Sequence, residues 1–410
     1  MESTAKKNNS RYVLIALLSL STLCYTYPYL SSTFYNQFME AFQLSNAQIG
    51  HLLTLFSLTA TPGYLFGGLL ADKFSPKKLV VISQLLTAGI GLCICFIQGY
   101  VVLLVCYLGL GISTTFIHWS AYLKLVRAQA DPGEEGKIFG FFETCAAVVG
   151  IITNYGVLAI LGHLSSFRIV QAIYAVILVI VAVIIILFVK DADADINTSD
   201  FKLSMVTQAL AHPVTWINGF IVMGIFMCVS ACTYLNPYLS GVFGTSVGFA
   251  TSFAIINRSI MRILVCGVGG LLLDKLRTPK FLIICSIVGA VILLPINSIE
   301  QSNSSMMIAI IICLAFIAVL NMSRSGMYTP IPEAKMPMAI TGTAMGICSA
   351  IGYSSDLWLY SLCGKWLDQY GNDGFRYVIY LIIASLALVV VCSLLLHVYE
   401  KKHNVFDEEA

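Results

Sequence analysis

"GGLLADKFSPKK" at residues 67–78 returns as "GGLLLDKLRTPK" at residues 269–280. In both stretches a glycine pair and two leucines lead into an acid and a base, and a proline-marked turn closes on further bases. A shift of 202 lays Gly67, Gly68, Leu69, Leu70, Asp72 and Lys73 on Gly269, Gly270, Leu271, Leu272, Asp274 and Lys275. Duplication of one helix, tight turn, helix unit accounts for the repeat.

The rest of the chain says what kind of helices these are. Of 410 residues, 58% are hydrophobic and only 11% charged, against about a quarter charged in soluble domains. So few charges cannot cover so much apolar surface in water. The run "IVQAIYAVILVIVAVIIILFV" (169–189) exceeds the roughly 20 residues that carry a helix across a bilayer. The N-terminal segment has basic residues but no small-residue cleavage site, so it reads as a first span and not as a signal peptide. The 13 cysteines are scattered through apolar segments without a CxxC pair, and read as small core residues. A formal net charge of +2 points to no nucleic-acid partner.

Polar and Gly/Pro breaks divide the chain into twelve expected spans: 12–37, 48–71, 78–98, 100–126, 137–161, 167–189, 214–242, 247–273, 280–297, 306–330, 339–363 and 375–398. With the N-terminus inside, 17 of the 23 Lys and Arg residues fall on the cytoplasmic side, which orients the chain with both termini cytoplasmic. Residues 1–190 form an N-terminal bundle of six spans and residues 213–410 a C-terminal one. Between them, 191–212 is a cytoplasmic linker. It begins acidic and ends in a short interfacial helix capped by Ser199 or Asp200.

Two six-span halves, each with the glycine, acid and base signature after its second span, resemble the major facilitator superfamily of secondary transporters. The signature reads here Gly68-Leu69-Leu70-Ala71-Asp72-Lys73-Phe74-Ser75-Pro76-Lys77-Lys78, with Ser75-Pro76 standing where the family usually has Gly-Arg. The resemblance implies an all-α membrane protein of twelve transmembrane helices in two pseudo-symmetric six-helix bundles. It also implies alternating access by rocking of the halves. It carries a gating role to Gly68, Asp72, Lys73 and Lys77, and to Asp274 and Lys275 in the second copy. The stretch "RSGMYTPIPEAKMPMAITGTAMGICSAIGYSSD" (324–356) is similar to a YihN-like branch of bacterial permeases. Span four lacks the arginine of many proton-coupled members and span five lacks the Gly-Pro element of drug antiporters, which argues against multidrug efflux.

Ionisable groups inside spans are expensive and hence functional candidates. Counting about 1.5 Å per residue puts His118, Arg258, Arg262 and Arg324 near the bilayer middle, where an arginine costs on the order of 2.5–3.5 kcal/mol. Laying "HWSAYLK" (118–124) on "RSGMYTP" (324–330) pairs His118 with Arg324 and Tyr122 with Tyr328 at an offset of 206. Arg258 and Arg262 are four apart, on one helix face, and either contact substrate or clamp neighbouring helices. Glu143 and Asp356 are the acidic counterparts, serving proton coupling or ion pairing. A Tyr-Pro-Tyr-Leu-Ser element at 27–31 matches Asn-Pro-Tyr-Leu-Ser at 236–240. It offers Tyr29, Tyr35, Tyr234, Asn236 and Tyr238 as further solute contacts, with interfacial anchoring as the alternative for Tyr35.

Intramembrane charge biased to the positive favours transport of a small organic anion, such as a sugar acid, sulfonate or phosphorylated metabolite. The alternative is a proton-coupled carrier of a neutral or cationic solute with the arginines locked in ion pairs; a non-transporting receptor comes third. No HExxH helix, nucleophile elbow or P-loop suggests an enzyme. No cofactor or metal is expected. The expected partners are a small-molecule substrate, the lipid bilayer and a co-transported proton or counter-anion. A monomer in a bacterial inner membrane is expected.

Overall fold

The computed structural model describes residues 2–129, 135–161, 166–191, 203–299 and 303–403. Among these residues every regular element is helical. The apolar runs leave no other choice, since in a bilayer a helix satisfies its own backbone donors and acceptors. Ten helical stretches are long and apolar enough to cross a membrane, or eleven when the pair 46–64 and 66–73, bent by 57°, counts as one. Pro62 lies inside that helix and removes a backbone bond where it bends. The stretch Ile340–Lys402, 63 residues long, far exceeds one crossing of about 30 Å. It is interrupted at Ser354–Leu357 and again at Gly371–Asp373, which leaves room for spans eleven and twelve.

The chain divides into two compact units, residues 1–31, 40–44 and 55–199 in one, and 32–39, 45–54 and 200–410 in the other. Within the first unit, span three (Pro76–Phe96) packs along span six (Phe167–Phe188), and the start of span one lies against span five (Glu135–Leu161). The second unit repeats the scheme: span nine (Thr278–Leu293) runs along span twelve (Gly374–Lys402), and span seven (Pro213–Ala231) along span eleven (Met338–Tyr353). Large apolar residues such as Phe96, Val101, Leu187, Val291 and Val398 stand more than half exposed, the surface a lipid-facing bundle presents. The helix expected at the end of the linker spans Leu203–Ala211; its expected caps, Ser199 and Asp200, lie outside the described residues.

The duplication extends to breaks in the helices. Span one is interrupted by a 3-10 turn at Tyr27–Tyr29 and span seven by one at Cys232–Tyr234. Span four passes through a π-helical segment at Ile112–Trp119, and span ten ends in a 3-10 turn at Arg324–Gly326. A further π segment, Ile256–Ile260, interrupts span eight.

Candidate functional site

In the signature loop of the first unit the close approach falls to one glycine of the pair. A Cβ on Gly67 would sit 2.8 Å from the Phe116 carbonyl oxygen of span four, whereas one on Gly68 would meet nothing within 4 Å. The second copy repeats this: a Cβ on Gly269 would lie 2.8 Å from the carbonyl of Met322, and one on Gly270 meets open space. Met322 is Phe116 displaced by 206, the offset that pairs His118 with Arg324. Gly63, one turn before Gly67, also abuts the Phe116 backbone, so a small-residue face draws spans two and four together.

Beyond the glycines the two copies diverge. Asp72 accepts a 2.9 Å ion-pair hydrogen bond from Lys124 of span four, whose Nζ also donates to the Ala71 carbonyl. Lys73 is exposed beside Phe74. Lys77 turns away toward span six, with its amine donating to the Ile186 carbonyl and its backbone N–H to Asp191. Asp191 also accepts from Ser75, the residue that caps span three. In the second copy Asp274 and Lys275 are exposed, and Pro330 stands where the 206 offset would put the partner lysine. Glu333 does the anchoring there, accepting from the Thr278 hydroxyl and backbone N–H at the start of span nine. Burial pushes the Glu333 carboxyl above its ordinary range, an effect partly offset by those two bonds and by Arg277.

Three of the four basic groups expected near the bilayer middle, His118, Arg258 and Arg324, fall on irregular backbone, and Arg262 falls on regular α-helix. His118 lies in the π segment of span four, fully buried, with both ring nitrogens lacking a hydrogen-bond partner among the described residues. Its ring is 5.2 Å from that of Tyr122, which stacks on Phe142. The segment is braced sideways: the Ser113 carbonyl accepts from Ser83 of span three, and the hydroxyl of Ser113 meets that of Thr87. Arg258 lies in the π segment of span eight and Arg324 opens the 3-10 turn of span ten, both half-buried. Arg262, one turn after Arg258, is exposed. Tyr328 shares a 2.8 Å hydrogen bond with Ser349 and lies 3.5 Å from the Tyr353 hydroxyl. Of the acids, Glu143 is half-buried on span five, while Asp356 is 4% exposed and accepts from Ser230 at 2.6 Å.

The tyrosines split into two groups. Tyr35 and Tyr234 are essentially inaccessible and committed to the protein: Tyr35 donates to Asn46, Tyr234 donates to the Tyr360 carbonyl, and their rings meet edge to face at 5.9 Å. Asn236 donates to the Thr33 carbonyl, and Tyr238 is buried against Phe243 and Phe375. These contacts belong to a seam within the second unit. There Asn36 donates to Ser240, Gln37 to Thr251, Thr54 meets Ser361, and Asp368 accepts from Asn46 and Ala47. Tyr29, by contrast, packs with Phe56 and Tyr25 in the first unit.

Sequence reasoning passed over three half-buried rings beside this last group: Tyr25, Tyr64 and Trp119. Charge had marked the candidates, and aromatic residues in an apolar span carry no such mark. Trp119 directly follows His118, and that adjacency was the available signal. Asp368 and Glu333, near helix ends, were passed over for the same reason that surface acids usually are.

Comparison with known proteins agrees with this architecture. The chain is 27% identical to the inner membrane protein YihN of Escherichia coli (strain K12), over 96% of its own length and 98% of that relative's. It is also 27% identical to the inner membrane protein YqcE of the same organism, over 94% of each. Among solved structures, a variant of the nucleoside transporter NupG superposes with a TM-score of 0.73 at 13% identity, covering 95% of this chain and 99% of that one. A D-xylose-proton symporter superposes with a TM-score of 0.72 at 16% identity, covering 94% and 96%. The family model of the Major Facilitator Superfamily matches residues 13–357. The duplicated helices, their shared breaks and this match over most of the chain place the protein in the Major Facilitator Superfamily.

Proposed function

We propose that the protein is a secondary active transporter that moves a small organic anion across a bacterial inner membrane by alternating access, with both termini cytoplasmic. One observation carries the reading: His118, Arg258 and Arg324 each occupy a non-α segment of a span. Irregular backbone at membrane depth is tolerated where protein buries it or where it lines a water-filled cavity, and broken helices are where transporters bind solute. Arg324 and Arg258, half-buried on such breaks, are the groups that neutralise the anion through charge-assisted hydrogen bonds. The intramembrane excess of basic over acidic groups supports an anionic cargo.

A thermal-stability screen of detergent-purified protein at low salt tests this, using matched anionic, neutral and cationic metabolites. Ligand at a hundred times its dissociation constant adds about 2.7 kcal/mol. Anionic hits that disappear in Arg324→Gln support the reading; neutral or cationic hits that survive in the variant sink it. Asp356, buried under the Ser230 hydroxyl, favours proton coupling as a second reading. A carboxylate so placed takes up and releases a proton as its access to water changes. Uptake that acidifies the lumen of proteoliposomes, and loses that acidification in Asp356→Asn, is the expected outcome there.

A further inference from the structure

We propose that Tyr25, Tyr64 and Trp119 form a stacking platform for the ring of a cyclic solute, with the indole nitrogen of Trp119 donating to an acceptor on the ring's edge. The proposal rests on the transporter reading and adds the shape of the cargo to it. Three spans of the first unit converge here. The Trp119 ring of span four lies 4.8 Å from Tyr25 of span one and 5.4 Å from Tyr64 of span two. The two tyrosine hydroxyls are 3.0 Å apart, which ties spans one and two together beside the indole. Beneath, Tyr122 meets the indole edge to face at 5.3 Å and is itself nearly inaccessible, as is His118 beside it.

Side chains reached from three helices of one bundle face its interior, not lipid. The three upper rings nevertheless remain half-exposed, so this interior face opens on accessible space. Tryptophans in membrane proteins ordinarily gather at the interfaces, and Trp216 and Trp366 lie near the ends of their helices. Trp119 instead stands eight residues before Arg127, where the helix ends, about 12 Å along the axis. Its position there comes from the braced π segment and from the Gly63 and Gly67 face that brings span two against Phe116.

One polar group at the site awaits partners: among the described residues both ring nitrogens of the buried His118 are unpartnered. A cluster of tilted aromatic rings with an indole N–H among them fits a ring that offers an apolar CH or π face and an acceptor on its edge. Carbohydrate rings and planar heterocycles share that chemistry; open-chain solutes lack it.

The test uses four probes on the full chain in detergent: glucuronate (cyclic anion), gluconate (its open-chain counterpart), methyl glucoside (neutral ring) and nicotinate (planar anion). Binding is read by thermal shift and by quenching of tryptophan fluorescence. The expected result is that cyclic probes bind at least tenfold more tightly than gluconate, that Trp119→Leu loses that tenfold, and that Trp119→Phe, which keeps the ring but not the donor, binds between wild type and Trp119→Leu while abolishing the quench. Tyr25→Ala, also expected to lose tenfold, serves where Trp119→Leu does not fold. Preference for glucuronate and methyl glucoside identifies a carbohydrate ring, and preference for nicotinate a planar one. Equal binding of gluconate, affinity unchanged in Trp119→Leu, or no response to any probe at 10 mM on the order-of-magnitude scale of weak transporter sites overturns the proposal. Methyl glucoside binding as tightly as glucuronate, and lost in Trp119→Leu but not in Arg324→Gln, would overturn the anion reading while leaving the platform standing.

Discussion

Asp368, in the helix Leu359–Tyr370 that continues span eleven past its break, caps the start of span two through Asn46. One carboxylate oxygen accepts from both the backbone N–H and the side-chain amide of Asn46, each at 2.9 Å, and the other accepts from the Ala47 N–H at 2.8 Å. Helix N-termini leave their first donors unsatisfied, and here the cap comes from 322 residues away. Gly50 and Gly364 make the approach possible: a Cβ on Gly50 would lie 2.3 Å from the Tyr360 carbonyl, and one on Gly364 2.3 Å from that of Asn46.

Replacing Asp368 with Ala should therefore cost about 0.5–2 kcal/mol, as loss of an N-cap does, and Asn should restore part of it. Thermal unfolding in detergent measures the stability. Alkylation of a cysteine placed at Gln48 should rise in Asp368→Ala as this seam loosens; an unchanged rate would mean that the cap does not hold it shut.

Within each glycine pair the effect of a methyl group should depend on which member receives it. Gly67→Ala and Gly269→Ala press a Cβ onto span four or span ten backbone and should destabilise by about 1–3 kcal/mol, the cost of overpacking. Gly68→Ala and Gly270→Ala have open space and should be neutral, or slightly stabilising through helix propensity. Equal effects at the two positions would contradict the packing described for the loop.

The Asp72 to Lys124 pair should matter for transport more than for folding. The Asp72 side chain is 48% exposed, and exposed pairs contribute about 0.2–1 kcal/mol. Asp72→Asn should stay within that range in thermal stability while lowering solute flux about tenfold, consistent with the gating role proposed for this loop. Asp274→Asn, in the copy with proline in place of the lysine, should leave flux nearly unchanged.

Glu333 gives a pH signature. Its carboxyl is held above the ordinary glutamate range, first by burial, so the folded state favours the protonated form. The stabilisation is complete below the ordinary value and is lost as pH rises through the raised one. The wild-type unfolding midpoint should therefore fall more steeply than that of Glu333→Gln as pH rises above the ordinary glutamate range. Thr278, Thr329, Arg277 and Glu400 surround the group, and parallel pH curves for the two proteins would mean that Glu333 does not carry the pH dependence.

How much of this was legible in the sequence depended on whether the signal was a pattern or a direction. The duplicated "GGLLADK" is a pattern, and it located spans two and eight and the plan of two halves. Which glycine of the pair touches the neighbouring helix is a matter of rotational phase, which a mostly apolar helix does not display. The π segment at Ile112–Trp119 was invisible for a similar reason, since a change from 3.6 residues per turn leaves no trace where nearly all positions are apolar or small. Tyr35 and Tyr234 attracted notice as hydroxyl donors, but their hydroxyls end on Asn46 and the Tyr360 carbonyl. The fold follows from where apolar residues recur; the use of each polar atom follows from partners hundreds of residues away.

That distance also sets a timetable. Synthesis proceeds at about 5–20 residues per second, so the 322 residues between Asn46 and Asp368 represent on the order of 16–64 s on the ribosome. For that interval the opening donors of span two wait without the acceptor they finally use. The first-made portion of the chain thus completes its bonding only when nearly all of the protein has emerged, and a nascent chain stalled before residue 368 should present this helix start to whatever assists insertion.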